Sequence, residues 1–285
     1  MGNLIAIRRR IKSAKNISQI TKAMEMVSAS KMKKAQDQAL ASRPFTEKLR
    51  EMIGHVVSGT TTAGHPLTRN ANTIKSIAII MVSTNKGLCG ALNVNLHKGL
   101  IEFTKSLPIG IKLDIIAVGK KARTSIPGRE SSLIASFNEI GETATFLETR
   151  AISSYVLKAF IENKYDQIFI GYPKFISTLK NDVTIEALLP IQVETNNVAP
   201  ADYQIEPNPT EMIESLLPYE VELTVFQTVL EARASEHSAR MVAMKNASDN
   251  ARDLIGNLTL VYNQARQSQV TSELLDVTTA RMTLE

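Results

Sequence analysis

The sequence predicts an α/β fold: a central α/β layer carried between two long terminal helices that pair as an antiparallel coiled coil. Three observations lead to it. From Tyr219 to Glu285 the chain runs 67 residues with no proline and a single glycine, Gly256. As one helix that segment is about 100 Å long, more than a globule of this size can cover. Asn3 to Arg43 has the same helix-compatible character. Between the two, short β-rich runs alternate with helical ones, the pattern of a mainly parallel sheet.

In the first segment, apolar or small residues recur at Leu4, Ile7, Ile11, Ala14, Ile17, Ile20, Met24 and Val27. Steps of three and four are helical and close to the coiled-coil period. Pro44 is a kink risk. The helix is expected to end between Gly54 and Gly64, where Gly, Thr and His cluster. Ile74 to Val82 reads as a buried strand, Ser83 to Gly90 as a turn-rich loop and Ala91 to Ser106 as a helix. Ile111 to Val118 is a second strand, Thr143 to Asn163 a helix, Gln167 to Gly171 a third strand and Val183 to Ile191 a fourth. Thr195 to Pro209, with three prolines and three asparagines, is a linker. The last segment carries Met241, Met244, Ala247, Ala251, Leu254, Leu258, Val261 and Ala265 at steps of three or four. Matching seams make the two terminal segments each other's simplest partners. The outer faces are expected to be small and polar. The resulting division is 1–65, an N-terminal shaft helix; 74–195, the α/β domain; and 210–285, a C-terminal shaft helix.

Composition narrows the class. The hydrophobic fraction is 44%, but aromatics are only 5% and Trp is absent. Ala, Val, Ile, Leu and ten Met supply the apolar surface, which suits thin helical seams. One cysteine leaves no internal disulfide and no metal cluster, and it fits a reducing compartment. No apolar run approaches the roughly 18 residues of a membrane span, and no signal-peptide core precedes Arg8. The net charge of +5 is unevenly placed, with nine basic residues against Glu25 within residues 1–34. Such a run is a solvated face, or it steers the chain onto an acidic partner, nucleic acid or anionic lipid; charge alone does not choose.

The search for chemistry is mostly negative. There is no G-x-S-x-G elbow and no G-x-x-x-x-G-K-[ST] phosphate loop. Gly54 to Thr60 has that loop's glycine spacing but Thr60 in place of the lysine. His55, His65, His97 and His237 lack metal-ligand spacing. Cys89 sits where α/β folds bind ligands, at a strand end leading into a helix. No His or carboxylate near it in sequence would activate it, so a structural thiol is the expectation. Met24, Met26, Met32, Met241 and Met244 read as seam packing. A basic coiled-coil scaffold and an α/β enzyme using Cys89 are the competing classes; the lack of aromatic interleaving weighs against nucleic acid.

Ile20-Thr21-Lys22-Ala23-Met24-Glu25-Met26-Val27, continued by Ser28-Ala29-Ser30-Lys31-Met32, resembles the N-terminal signature of the gamma subunit of F-type ATP synthase. Ser83-Thr84-Asn85-Lys86-Gly87-Leu88-Cys89-Gly90 is similar to that family's strand-end loop. Ser235 to Ala247, and Tyr262-Asn263-Gln264-Ala265-Arg266-Gln267 with Thr271 and Glu273, resemble its C-terminal signatures. The resemblance runs in order along the whole chain.

The resemblance implies a Rossmann-like α/β domain and a central-stalk rotor, itself non-catalytic and without cofactor or metal. Proton flow would turn the rotor, and the rotor would drive the catalytic beta subunits through their conformational cycle. The implied partners are the alpha and beta subunits of the catalytic ring, the epsilon subunit and the c-ring, with no nucleic acid. Met24 and Arg240 match positions where the shaft meets a catalytic-subunit lever loop. Arg266, Gln267, Thr271 and Glu273 match the contact with the ring's collar. Tyr203 and Glu206 match, more loosely, the foot near the c-ring and epsilon. The family's chloroplast members carry an inserted cysteine pair that this sequence lacks, so thiol control is not expected. No transit peptide is evident, which implies a bacterial protein peripheral to the cytoplasmic face of the inner membrane.

Overall fold

The computed structural model describes residues 2–58, 65–71, 73–125, 131–138, 140–141, 144–192, 206 and 208–282. Among these, helix α1 spans Gly2–Ser58 and helix α4 spans Pro209–Met282. Between them lie strand β1 (Ser76–Val82), helix α2 (Leu92–Ser106), strands β2 (Lys112–Val118) and β3 (Ser131–Phe137), helix α3 (Phe146–Ile161), and strands β4 (Gln167–Phe175) and β5 (Asn181–Leu189). The chain forms two compact units: residues 1–28 with 241–285, and residues 29–240. Each long helix contributes to both.

In the larger unit the described strands form one sheet in the order β3-β2-β1-β4-β5. β1 pairs in parallel with β2 and β4, and β2 in parallel with β3, while β4 and β5 are antiparallel. Burial on both faces explains the near-continuous apolar strands. Alternate residues of β1 serve opposite layers. Ile77, Ile79 and Met81 join Leu96 and Leu100 of α2. Ala78, Ile80 and Val82 join a larger core made with α3, the end of α1 (Leu49, Ile53, Val56) and the first half of α4 (Ile213, Leu217, Val221, Val225). Gly99 lets α2 approach the sheet, since a Cβ there would meet Val183 at 2.6 Å. Asp114, buried on β2, accepts hydrogen bonds from Ser132 and Tyr165 and pairs with Lys112. Burial alone would push its carboxyl up, but these partners outweigh it and hold the group below the usual range.

Local signals set the helix starts. Thr145 and Glu148 form a capping box at α3. Asn208 caps α4, its side-chain oxygen accepting from the Glu211 N–H at 2.9 Å, and Pro209 follows where the missing N–H costs nothing. α4 therefore begins ten residues before Tyr219 and passes through Pro218, as α1 passes through Pro44. β3 lies in a stretch that sequence patterning left without a strand. Its alternation is weak because Ser131, Ser132 and Ser136 interrupt the apolar residues. It is an edge strand that packs mainly through Ile134, Ala135 and Phe137.

Within the larger unit, Arg50 meets Glu220, Phe45 stacks edge-on against Tyr219, and Gln227 donates to the Ala39 carbonyl. As the chain runs from Ala39 to Phe45 and Arg50 on α1, its partners on α4 move back from Gln227 to Tyr219 and Glu220, the sense of antiparallel pairing. In the smaller unit Ser248 Oγ lies 3.5 Å from the Ser18 carbonyl.

The seams differ from the expected ones. On α1 the least exposed positions in the smaller unit are Leu4, Ile7, Ile11, Ala14, Ser18, Thr21 and Ser28, with Met24 and Glu25 half-buried. Ile17, Ile20 and Val27 point outward, Ile20 being 60% exposed. On α4 the inward positions are Met244, Ser248, Ala251, Ile255, Leu258, Tyr262, Ala265 and Gln269, whereas Leu254 and Val261 are exposed and Ala247 is half-buried. Strict alternation of three and four was the correct rule. Leu4, Ile7, Ile11, Ala14, Met244, Ala251, Leu258 and Ala265 face inward as expected, whereas Ser18, Thr21 and Ser28 take the inward places expected of Ile17, Ile20 and Val27. The outer face carries the expected Ser, Thr, Asn and Gln, and also Ile17, Ile20, Leu254 and Leu260.

Candidate functional site

The loops that follow β1, β3 and β4 lie at the C-terminal end of the parallel strands. After β1, Ser83 Oγ donates to the Val118 carbonyl and accepts from the Ala122 N–H. The chain after β2 passes so close that a Cβ at Gly119 would lie 2.5 Å from the Ser83 carbonyl oxygen, and Gly119 has φ +90°. Thr84 Oγ1 donates to the Lys86 carbonyl at 2.7 Å and accepts from Asn93. Leu88 and Gly90 are left-handed, at φ 62° and 59°. Asn85 reaches across to donate to the Ile140 carbonyl at 3.2 Å.

Helix α4 closes this loop from outside the sheet. Arg233, Glu236 and Arg240, at steps of three and four on one helix face, form a buried ion triad. Arg233 Nη1 lies 2.8 Å from Glu236 Oε2, and Arg240 Nη2 lies 2.7 Å from Glu236 Oε1. The second positive charge is met by carbonyls. Arg240 donates to Gly87 and Lys86 at 3.3 and 3.4 Å, and Arg233 donates to Ile140 at 3.0 Å. On the same helix Ser238 Oγ donates to the Thr178 carbonyl, in the β4–β5 turn, at 2.6 Å. His237 is also buried, its Nδ1 3.5 Å from Arg240 Nη1. Burial pushes its pKa down, and Arg240, Lys31 and Arg233 add to that against Glu236.

Cys89 is buried and receives a contact from Asn93 Nδ2 at 3.2 Å. Burial pushes its thiol up, and the charge of Arg240 offsets this only in part. A nucleophilic cysteine needs the opposite shift. No group of three or more His, Cys, Asp or Glu gathers as a metal site among the described residues. No described helix is long and apolar enough to cross a membrane.

A family model described as ATP synthase matches residues 3–284. The ATP synthase gamma chain of Dehalococcoides mccartyi (strain CBDB1) is 42% identical over 282 residues, covering 97% of each chain. That of Akkermansia muciniphila is 38% identical, with both chains covered in full. The chain belongs to the ATP synthase gamma-chain family. A gamma chain is a non-catalytic subunit of the complex that makes ATP, which accords with a strand-end site filled by a helix. Among solved structures, a chain of the Euglena gracilis mitochondrial ATP synthase (OSCP/F1/c-ring, rotational state 3) aligns with a TM-score of 0.67 at 22% identity. The match covers 99% of this chain and 95% of that one, and the likeness is one of fold.

The positions at which the resemblance implies contacts are distributed between the units. Met24 lies half-buried in the smaller unit, beside the Lys22–Glu25 ion pair. Arg266, Gln267, Thr271 and Glu273 belong to the same unit and are exposed. Thr271 bonds back to the Gln267 carbonyl, and Gln269 bonds to Glu273 at 2.8 Å. Every described position from 270 to 279 is exposed. Arg240 belongs to the larger unit and is buried, its guanidinium engaged with Glu236, His237 and two carbonyls. Glu206 is exposed, and Tyr203 lies outside the described residues. Sequence reasoning did not single out Arg233 or Glu236. Their signal was an Arg-x-x-Glu-x-x-x-Arg spacing inside a proline-free helix, which on a solvated surface would be an ordinary helical ion-pair row.

Proposed function

We propose that this chain is the rotor of a bacterial F-type ATP synthase, working at the cytoplasmic face of the inner membrane. It couples rotation of a c-ring to conformational cycling of the catalytic beta subunits. Its partners are the alpha and beta subunits, epsilon and the c-ring. The observation that carries this reading is the paired-helix unit, which leaves several bulky apolar residues exposed: Ile17, Ile20, Val27, Leu254, Val261, Leu274 and Leu275. Apolar side chains left exposed in this number on one unit favour a surface that a partner covers. Met24, Arg266, Gln267, Thr271 and Glu273 are its contacts with the ring, and Tyr203 and Glu206 belong to the foot. Arg240 acts on the ring through the 86–90 loop, since its own donors are engaged. The coupling is mechanical: a ring's conformational equilibrium shifts only if the shaft contacts its faces differently.

The test is co-purification. Expressed with its own alpha, beta and epsilon subunits, the chain should elute with three copies each of alpha and beta and hold them through salt washes. Arg266→Ala with Glu273→Ala should weaken that complex. A chain that elutes alone, or that binds DNA with a steep salt dependence, would overturn the rotor reading in favour of a basic scaffold.

A further inference from the structure

In a doubly wound sheet, ligands bind beyond the carboxyl ends of the strands, at the point where the strand order reverses. Here that point lies between β1 and β4, because the chain leaves β1 toward β2 and β3 and then returns to β4 on the other side. The loops that would cradle a ligand instead hold a helix. Arg240 is bound to the loop after β1, Arg233 to the segment after β3, and Ser238 to the turn after β4. Residues 232–238 and 240 are all buried except for the half-buried Ala239 between them. The same helix has an exposed face over most of its remaining length.

The directions of these contacts matter. At 3.6 residues per turn, Ser238 projects roughly 140° around the helix from Arg233, and farther still from Arg240. The helix is thus held on nearly opposite sides by separate loops. A single-sided contact would act as a hinge about which the helix could roll. Contacts on two sides resist rolling in either sense. Glu236 joins the two arginines into one piece, so that the loop after β1 and the segment after β3 are gripped together. Asn85, which itself donates to the Ile140 carbonyl, ties those two segments from below.

We propose that residues 232–240 of α4 form a torque clamp, through which rotation passes between the sheet and the helix. Arg233, Glu236, Ser238 and Arg240 are its positioning residues, and the ligand end of the sheet serves as the socket. This rests on the rotor reading above.

The experiment uses the complete enzyme in sealed vesicles, with ATP hydrolysis and proton pumping measured on the same preparation. Glu236→Ala should lower pumping per ATP about three-fold or more, with hydrolysis within about two-fold of the parent. If Glu236→Ala fails to assemble, Arg240→Lys carries the test, because it keeps the charge but loses the fork that spans Glu236 and two carbonyls. A mechanical role also predicts a covalent rescue. In the weakened variant, with Cys89→Ser, Thr178→Cys and Ser238→Cys added, oxidation should restore pumping per ATP and a thiol reductant should abolish it again. Unchanged pumping per ATP in Glu236→Ala and Arg240→Lys overturns the clamp. So does a thiol pair that will not close, or one that closes without restoring pumping. A parent enzyme that hydrolyses ATP without pumping at all would instead remove the rotor reading beneath it.

Discussion

The two units of this chain bury their residues by opposite rules. In residues 29–240, Ile79, Ile80, Ile116, Ile152 and Phe160 have no exposed surface, and apolar side chains fill both faces of the sheet. In residues 1–28 with 241–282 the most enclosed positions include Ser28 and Ser248, at 3% and 1% exposure, while Ile17, Ile20, Leu260 and Leu274 face out. A fully buried Ile or Phe contributes about 1.5–3 kcal/mol. A seam that intersperses Ala, Ser and Thr among its apolar residues gives less per residue. The sheet unit is therefore stabilised by its own core. The helical pair is stabilised by length and by whatever covers its outward apolar face, since long helices gain most of their stability from tertiary packing. A thin seam is what a shaft within a ring requires: narrow, and with its adhesive groups outside.

The largest effects should fall in the sheet unit. Phe160→Ala should cost the isolated chain about 3–5 kcal/mol, read as a shift of the urea midpoint. Ile20→Ala should change that midpoint by no more than about 0.5 kcal/mol, yet weaken assembly with the ring. Equal losses from both substitutions would erase the distinction. Native-state hydrogen exchange sharpens it further. Amides of β1, β2 and β4 should exchange with the global opening of the sheet unit, while those of residues 4–28 and 244–282 exchange through local fraying at much lower free energy. Uniform protection along both helices would show that the seam is stronger than its residues suggest.

A third, moderate effect concerns pH. Burial depresses the pKa of His237 in the folded chain, so the unfolded chain binds the proton more tightly. The stabilisation is complete above the unfolded value of about 6.5 and is lost as pH falls toward the folded pKa. His237→Gln should thus narrow the difference in urea midpoint between pH 7.5 and pH 5.5; the same difference in both proteins would place the imidazole in solvent. The smallest effect is at the seam. Ser248→Ala removes a marginal 3.5 Å contact to Ser18 and gains helix propensity. Thermal melting should show a change within about 1 kcal/mol.

Much of the fold was legible because periodicity and punctuation are local. Apolar runs marked β1, β2 and β4, and α2 and α3 stood within a few residues of their observed bounds. The mainly parallel sheet follows from the alternation of strands and helices. β3 escaped because an edge strand need not be continuously apolar, and its serines mimic a loop. The seams of α1 and α4 were readable in period but not in identity. Hydrophobicity selects Ile17 over Ser18 and does not choose between Leu254 and Ile255, so spacing decides which residues face inward. The clamp was the least legible feature. Arg233, Glu236 and Arg240 are remote in sequence from Lys86, Gly87 and Ile140, and a charged row on a helix gives no sign of which carbonyls lie opposite until the sheet is assembled. The sequence resemblance implied a role for Arg240, but its burial against the 86–87 carbonyls could come only from the structure.

The central claim is that this chain carries rotation and no chemistry. The most direct measurement is the ratio of protons pumped to ATP hydrolysed in vesicles holding the membrane sector and a catalytic ring, assembled with the parent chain or with one truncated after Ala265. Tightly coupled pumping is expected with the parent chain. With the truncated chain hydrolysis should persist while the ratio falls, because the ring retains its catalytic residues but loses part of its shaft. Hydrolysis that disappears in proportion to pumping, with the ratio unchanged and the ring intact, would contradict the claim by giving the chain a share in the chemical step.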